Sequence, residues 1–293
     1  MMRIFLFVFL IQCSFQTHGQ AQNQEDSINT NKIRKIILTE SAVYTAGMTG
    51  LGLLWYKDTE AQSFQFFNDN KQWLQMDKIG HAYTAFHLTN INYQLFKASG
   101  MTPQKAMLYS SLSSTAMMLP IEIFDGFSAA YGASWGDALS NTIGALLPYQ
   151  QFLFDQTYIY PKFSFSASPY AHLRPNTLGS NFIEQVIKDY NGQTYWLSTD
   201  FNIFSKKNKF PAWLQFSIGY SGNEMVYGSP IDNSKNGFEA NRQWLLSLDI
   251  NTSKIEVEQR WLEIMLRIIN KVKIPFPTIE WQGKNVVLHP LYF

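Results

Sequence analysis

The spacing of hydrophobic positions changes near residue 158. Before it the pattern is helical. Lys32 to Tyr56 reads as a helix with its apolar stretch at Ala42–Tyr56, where Gly47, Gly50 and Gly52 sit among small residues. That stretch falls short of the ~20 apolar residues a membrane span needs, so a buried helix packed closely against its neighbours is expected. Asp58 to Gln75 mixes polar residues with Phe64, Phe66, Phe67 and Trp73 and reads as a structured loop or interfacial lip. A second helix is expected from Asp77 to Ser99, ended by Gly100, with Pro103 opening the third, in the usual order of glycine after one helix and proline at the start of the next. The third should run to about Leu119, where Pro120 stops or kinks it. Ser134 is a natural N-cap for a fourth helix reaching about Leu147 and closed by Pro148.

Beyond Asp155 apolar and polar residues alternate. Phe163 to Ser168 alternates Phe and Ser, and Trp196 to Phe204 is strand-like. Leu214, Phe216, Ile218 and Tyr220 share one face against Gln215, Ser217 and Gly219, as Leu246, Leu248 and Ile250 do against Ser247 and Asp249. These read as half-buried antiparallel strands. Ser180–Tyr190 predicts a short helix. Val257, Trp261, Ile264, Met265, Ile268 and Val272 form a helical stripe expected to lie on the sheet or on the helical bundle. The last strand, Val286 to Phe293, ends on an aromatic residue as outer-membrane barrel strands often do. Pro290 interrupts it, however, and about six strands fall short of the at least 8 of a closed membrane barrel, so a small sheet or partly closed barrel is expected. The fold class is therefore α+β: a compact N-terminal bundle of about four helices, residues 32–157, then a mainly antiparallel β region with two helices, residues 158–293.

The N-terminus adds a destination. Met1-Met2-Arg3 followed by the apolar run Ile4–Ile11 resembles a secretory signal, with cleavage near residue 21 and a polar leader over 22–31. Cys13 is the only cysteine. As an acylated first residue it would make a lipoprotein, although Gln12 stands where a small residue normally precedes the modified cysteine. Without it the exported chain relies on its core rather than on disulfides. Net charge is +1, with no concentrated basic patch, which sets nucleic-acid binding aside. Aromatic content of 16% suits an envelope protein or a binder of lipid or glycan, and a membrane surface is a further candidate partner.

Candidate chemistry gathers between Met76 and Gly144. On helices, Asp77/His81 and Asp137/Asn141 at i,i+4 and Glu122/Asp125 at i,i+3 would each share a face, and three such faces can converge on one site. Only 15% of the chain is charged, and burying an unpaired charge costs several kcal/mol, so such a cluster needs mutual pairing, a metal or a substrate. The candidate catalytic set is Asp77, His81, Glu122, Asp125 and Asp137, with Lys78, Ser134, Asn141 and Gly144 in support. Glu122, Asp125 and Asp137 offer hard oxygens suited to magnesium, calcium or manganese, while a single histidine is too little nitrogen for zinc. His81, oriented by Asp77, could then act as a general base. Each residue also has a plain alternative: Asp77 and Asp137 as first-turn acids favoured by the helix dipole, His81 as a hydrogen-bonded core histidine, Ser134 as a cap, Asn141 and Gly144 as packing residues. Two function classes stay open. One is a scaffold or binding module of the envelope; the other is a carboxylate-based, metal-dependent hydrolase or transferase acting on an envelope lipid or glycan.

The order Asp77-Lys78-x-x-His81, Glu122, Ser134-x-x-Asp137-x-x-x-Asn141-x-x-Gly144 resembles the YfiM-type domain of unknown function, and looks like a version of the motif in VanZ-like membrane proteins. The resemblance covers about residues 35–155. Asp125 stands where the VanZ-like pattern tends to carry Gln, and Ser134 near its arginine, which favours the YfiM-type reading. That resemblance implies an exported envelope protein, periplasmic or associated with the outer membrane, and no particular reaction.

Overall fold

A computed structural model describes residues 28–56, 59–154, 157–204 and 210–293. The signal segment and Cys13 lie outside these residues. The architecture is α+β, with helices concentrated in the N-terminal half and one six-stranded antiparallel sheet after them. The chain divides into two compact units. One holds residues up to Asn68 together with Thr84–Tyr149; the other holds Asp69–Tyr83 and Gln150–Phe293.

In the helical unit, α1 spans Thr30–Trp55 and is capped by the Asn29 side chain, which accepts from Lys32 N at 2.9 Å. Helix α2 spans Met76–Ala98, its residues from Thr84 on belonging to this unit, and Gly100 follows at φ 95, the left-handed conformation that ends a helix without a Cβ penalty. Helix α3 spans Pro103–Gly126 and α4 spans Trp135–Leu146. Ala85, Met118 and Ala145 form the shared core, with Leu88 and Ile121 packed against it. Two expectations are corrected here. Pro120 does not stop helix α3, which continues to Gly126, because a proline inside a helix removes one N–H but leaves the flanking turns to carry the ladder; Tyr44 on α1 donates to the carbonyl of Met117 at 2.6 Å in the turn before it. Helix α1 is not deeply buried either: Leu38, Val43 and Leu53 are exposed, and a Cβ on Gly47, Gly50 or Gly52 would meet nothing within 4 Å.

The polar-aromatic segment is a structured strap. Its backbone pairs with residues 126–133, through Gln62 N to Phe127 O and Gln65 N to Gly126 O at 2.9 Å, and Phe67 N to Ala133 O at 3.0 Å. Glycine is required at two places: a Cβ on Gly126 would fall into the Phe64 ring, and one on Gly132 onto Phe67 Cβ.

In the second unit the strands β1 (Ile159–Phe165), β2 (Gln193–Asp200), β3 (Leu214–Asn223), β4 (Asn241–Ile250), β5 (Phe276–Gln282) and β6 (Asn285–Tyr292) pair in chain order as an antiparallel meander. Pro290 lies within β6, on an edge strand where a missing N–H costs the ladder little. A short helix α5, Phe182–Lys188, precedes β2, and α6, Arg260–Ile269, precedes β5.

The sheet coils on itself. In a flat sheet four strand steps separate β2 from β6 by roughly 19 Å. Yet the rings of Trp196 and Tyr292 lie 5.8 Å apart, and Thr194 Oγ1 sits 3.0 Å from the Tyr292 hydroxyl. Lys162 on β1 reaches Asp249 on β4 at 2.8 Å, both side chains 0% exposed. The inside of this coil is polar. Ser164, Thr194, Ser198, Gln215, Ser217, Ser221, Ser247, Thr278 and Glu280 are buried, while Leu197, Ile218, Trp244, Leu246, Leu248, Ile279, Trp281 and Leu288 on the opposite face are exposed. Half-buried strands usually turn the apolar face inward; these do the reverse. The stripe on α6 is likewise exposed rather than laid on sheet or bundle, since Trp261, Ile264, Met265 and Ile268 face out.

Candidate functional site

Asp77 follows a backbone irregularity that the sequence does not announce. Trp73, Leu74 and Gln75 all have positive φ, at 47, 50 and 65, which side-chain-bearing residues adopt only when their surroundings enforce it. Four hydrogen bonds do so. Trp73 N donates to Gly228 O at 3.0 Å, the Tyr220 hydroxyl to Leu74 O at 2.5 Å, Arg242 to Gln75 Oε1 at 2.7 Å, and Gln75 Nε2 to Asn70 O at 2.7 Å. Leu74, Met76 and Met225 form the core beneath, with Trp73, Tyr190, Tyr195 and Tyr220 packed against it. This left-handed turn delivers the first turn of α2.

There Asp77 Oδ1 accepts from the Tyr190 hydroxyl at 2.8 Å and lies 3.6 Å from His81 Nε2, the i,i+4 partner expected from spacing. Lys78 Nζ is 3.4 Å from Asp77 Oδ2 and 2.6 Å from Asp69. Burial pushes the Asp77 carboxyl up, but His81, Lys78 and the Tyr190 hydroxyl together outweigh it and hold the group below the usual carboxylate range. Gly80 allows close approach of the sheet: a Cβ there would stand 2.8 Å from the Tyr195 hydroxyl, whose own ionisation burial and the nearby Asp77 push upward.

The remaining candidates belong to the helical unit. Glu122, buried near the end of α3, accepts from Ser134 N at 3.1 Å through Oε2. Ser134 in turn caps α4, its hydroxyl accepting from Asp137 N at 3.3 Å. Asp125 accepts from the Tyr56 hydroxyl at 2.6 Å, and burial first, then Asp125, raises the Tyr56 ionisation. Asp137, Asn141 and Gly144 are buried on one face of α4. Glu122 and Asp125 thus engage different partners, one fastening α3 to the start of α4 and the other fastening it to the end of α1.

Residues 65–152 match the model of DUF2279, a family described as a predicted periplasmic lipoprotein. The matched segment contains every candidate site residue. No curated protein and no solved structure matches the chain. The match supports an exported, periplasmic protein, and no helix among the described residues is long and apolar enough to cross a membrane. The family description carries neither the YfiM nor the VanZ name and specifies no activity.

Sequence reading missed Tyr190, Tyr56 and Asp69, which complete these arrangements from outside the motifs. It also missed the buried Lys162–Asp249 pair. That pair had a signal: each charge occupies the polar side of an alternating strand, Lys162 between Pro161 and Phe163, Asp249 between Leu248 and Ile250.

Proposed function

We propose that the protein is an exported envelope scaffold or binding module whose polar residues fasten the fold. One observation carries this: three of the four candidate acids accept from donors of the protein itself, Asp77 from Tyr190 and Lys78, Glu122 from the Ser134 amide, Asp125 from Tyr56. Buried carboxylates that fasten a fold are expected to be held by such donors, and perturbed groups in ion-pair networks are commonly structural. The residue order Asp77-Lys78-x-x-His81, Glu122, Ser134-x-x-Asp137-x-x-x-Asn141 supports a YfiM-type envelope protein, periplasmic or associated with the outer membrane.

Melting curves test the proposal against a magnesium, calcium or manganese centre built on Glu122, Asp125 and Asp137 and served by His81 and Asp77. Asp125→Ala strands the Tyr56 hydroxyl and Glu122→Ala the Ser134 amide, so each is expected to cost about 1–3 kcal/mol, with no response of the native chain to any of the three ions. A native chain that gains several degrees with one ion, together with variants that lose that gain and melt higher than the native chain without metal, would overturn it.

A further inference from the structure

The C-terminal sheet is inside out. Every Lys, Asp, Glu and His of the six strands points into the coil, and each of these charges is partnered: Lys162 with Asp249 at 2.8 Å, Asp200 with Lys254 at 2.6 Å, Glu280 with His289 at 2.7 Å. Asp249 also accepts from Ser198 at 2.8 Å and from the amide of Ile250 at 2.8 Å. Outward positions of β2 to β6 carry Leu197, Ile218, Trp244, Leu246, Leu248, Ile279, Trp281 and Leu288, and Leu197, Trp244 and Leu288 are 54%, 51% and 70% exposed. The one outward charge, Arg242, lies near the start of β4 and is tied to Gln75 and the Tyr220 hydroxyl. Single exposed apolar side chains are ordinary, but a band of them across five neighbouring strands is not.

We propose that this band dips into one leaflet of a lipid bilayer, as an interfacial surface of an open sheet and not as a closed spanning barrel. The electrostatic match is to an uncharged medium: a face cleared of charge, backed by an interior where polar groups satisfy one another, is the arrangement hydrocarbon demands and water opposes. A second copy of the chain fits less well. The sheet coils far enough for β2 and β6 side chains to touch, so the apolar band is convex and a two-fold partner would cover one side of it. Helix α6 adds an amphipathic element of the interfacial kind, with Trp261, Ile264, Met265 and Ile268 exposed, opposite Glu263 and Arg267, which pair at 2.8 Å. The helical unit independently shows the same bias, in the exposed stripes Leu108/Leu112/Leu119 on α3 and Trp135/Leu139/Ile143/Leu146 on α4.

The inference rests on the envelope reading only for which membrane is met, and the metal-response experiment has no bearing on it. The test uses the exported chain with Cys13→Ser, so that no acyl anchor contributes and the chain carries no cysteine. Spin labels are placed by Leu246→Cys, Leu288→Cys, the inward Ser217→Cys and the connecting-segment Ser234→Cys, and the chain is reconstituted into vesicles of phosphatidylethanolamine and phosphatidylglycerol. At Leu246 and Leu288, collision with oxygen is expected to rise several-fold over collision with a water-soluble nickel chelate, while Ser217 meets neither and Ser234 meets the chelate. Leu246→Asp and Leu288→Asp should each lower the vesicle-bound fraction at least tenfold, with unchanged circular dichroism in detergent. Free access of the chelate to Leu246 and Leu288 in vesicle-bound protein overturns the proposal. So does a folded chain that leaves vesicles unbound, or a lipid-free dimer in which these two positions are protected by the other copy.

Discussion

Asp249→Asn isolates the polar interior of the sheet. The carboxylate holds Lys162 at 2.8 Å, and Lys162 Nζ has a second acceptor in Ile250 O at 2.8 Å. At an effective dielectric of about 20, two unit charges at that separation attract by roughly 6 kcal/mol, before the desolvation that offsets much of it. Removing one partner of a buried pair costs about 3–5 kcal/mol. A ceiling follows from proton release: Lys162, already depressed by burial and held up by Asp249, can escape as the neutral amine. From an unfolded value near 10.4, that escape costs about 4.6 kcal/mol at pH 7 and about 1.9 kcal/mol at pH 9. The asparagine keeps an acceptor for the Ile250 amide, so the lost charge dominates. The variant should therefore lose about 3 to 4.6 kcal/mol at pH 7 and no more than about 2 kcal/mol at pH 9. Urea unfolding in detergent, followed by tryptophan fluorescence and near-ultraviolet circular dichroism, measures both. The double variant Lys162→Met/Asp249→Asn should recover most of the loss, since it leaves no orphaned cation. A penalty equal at the two pH values, or one below about 1 kcal/mol at pH 7, would refute the reasoning.

Lys273, over the Trp196 ring and donating to Leu248 O and Ile274 O at 2.7 Å, is lowered to about 8, chiefly by burial against the opposing pull of Asp249. Between pH 8 and about 10 the unfolded chain binds the extra proton, so Lys273 should make stability rise with pH across that window, and Lys273→Met should reduce that rise in the same urea titration, leaving what the likewise lowered Lys162 and Lys271 contribute. Gly80→Ala forces a methyl group into the Tyr195 hydroxyl; a loss of roughly 1–3 kcal/mol is expected by thermal melting, relieved in the double variant Gly80→Ala/Tyr195→Phe, which removes the atom that clashes.

Much of the framework is legible in the chain because it is written in local chemistry. The change of period near residue 158, Ser134 as the cap of α4, Gly100 and Pro103 between helices, and the i,i+4 pairing of Asp77 with His81 depend on residues within a turn or two of one another. What completed the site did not: Tyr190 donates to Asp77 from 113 positions away, and the left-handed turn at Trp73–Gln75, which has no glycine at its own positions, is imposed by partners at Tyr220, Gly228 and Arg242. Pro120 shows the reverse limit, a breaker overruled because α3 is held on both sides of it by packing and by Tyr44. The largest decision left to the tertiary structure was which face of the strands is inside. Alternation with period two separates Leu246 and Leu248 from Ser247 and Asp249, but it assigns neither set to the core. That assignment comes from the coiling of six strands, which brings Lys162 to Asp249 and Trp196 to Tyr292 across the interior and leaves the leucines and tryptophans facing out.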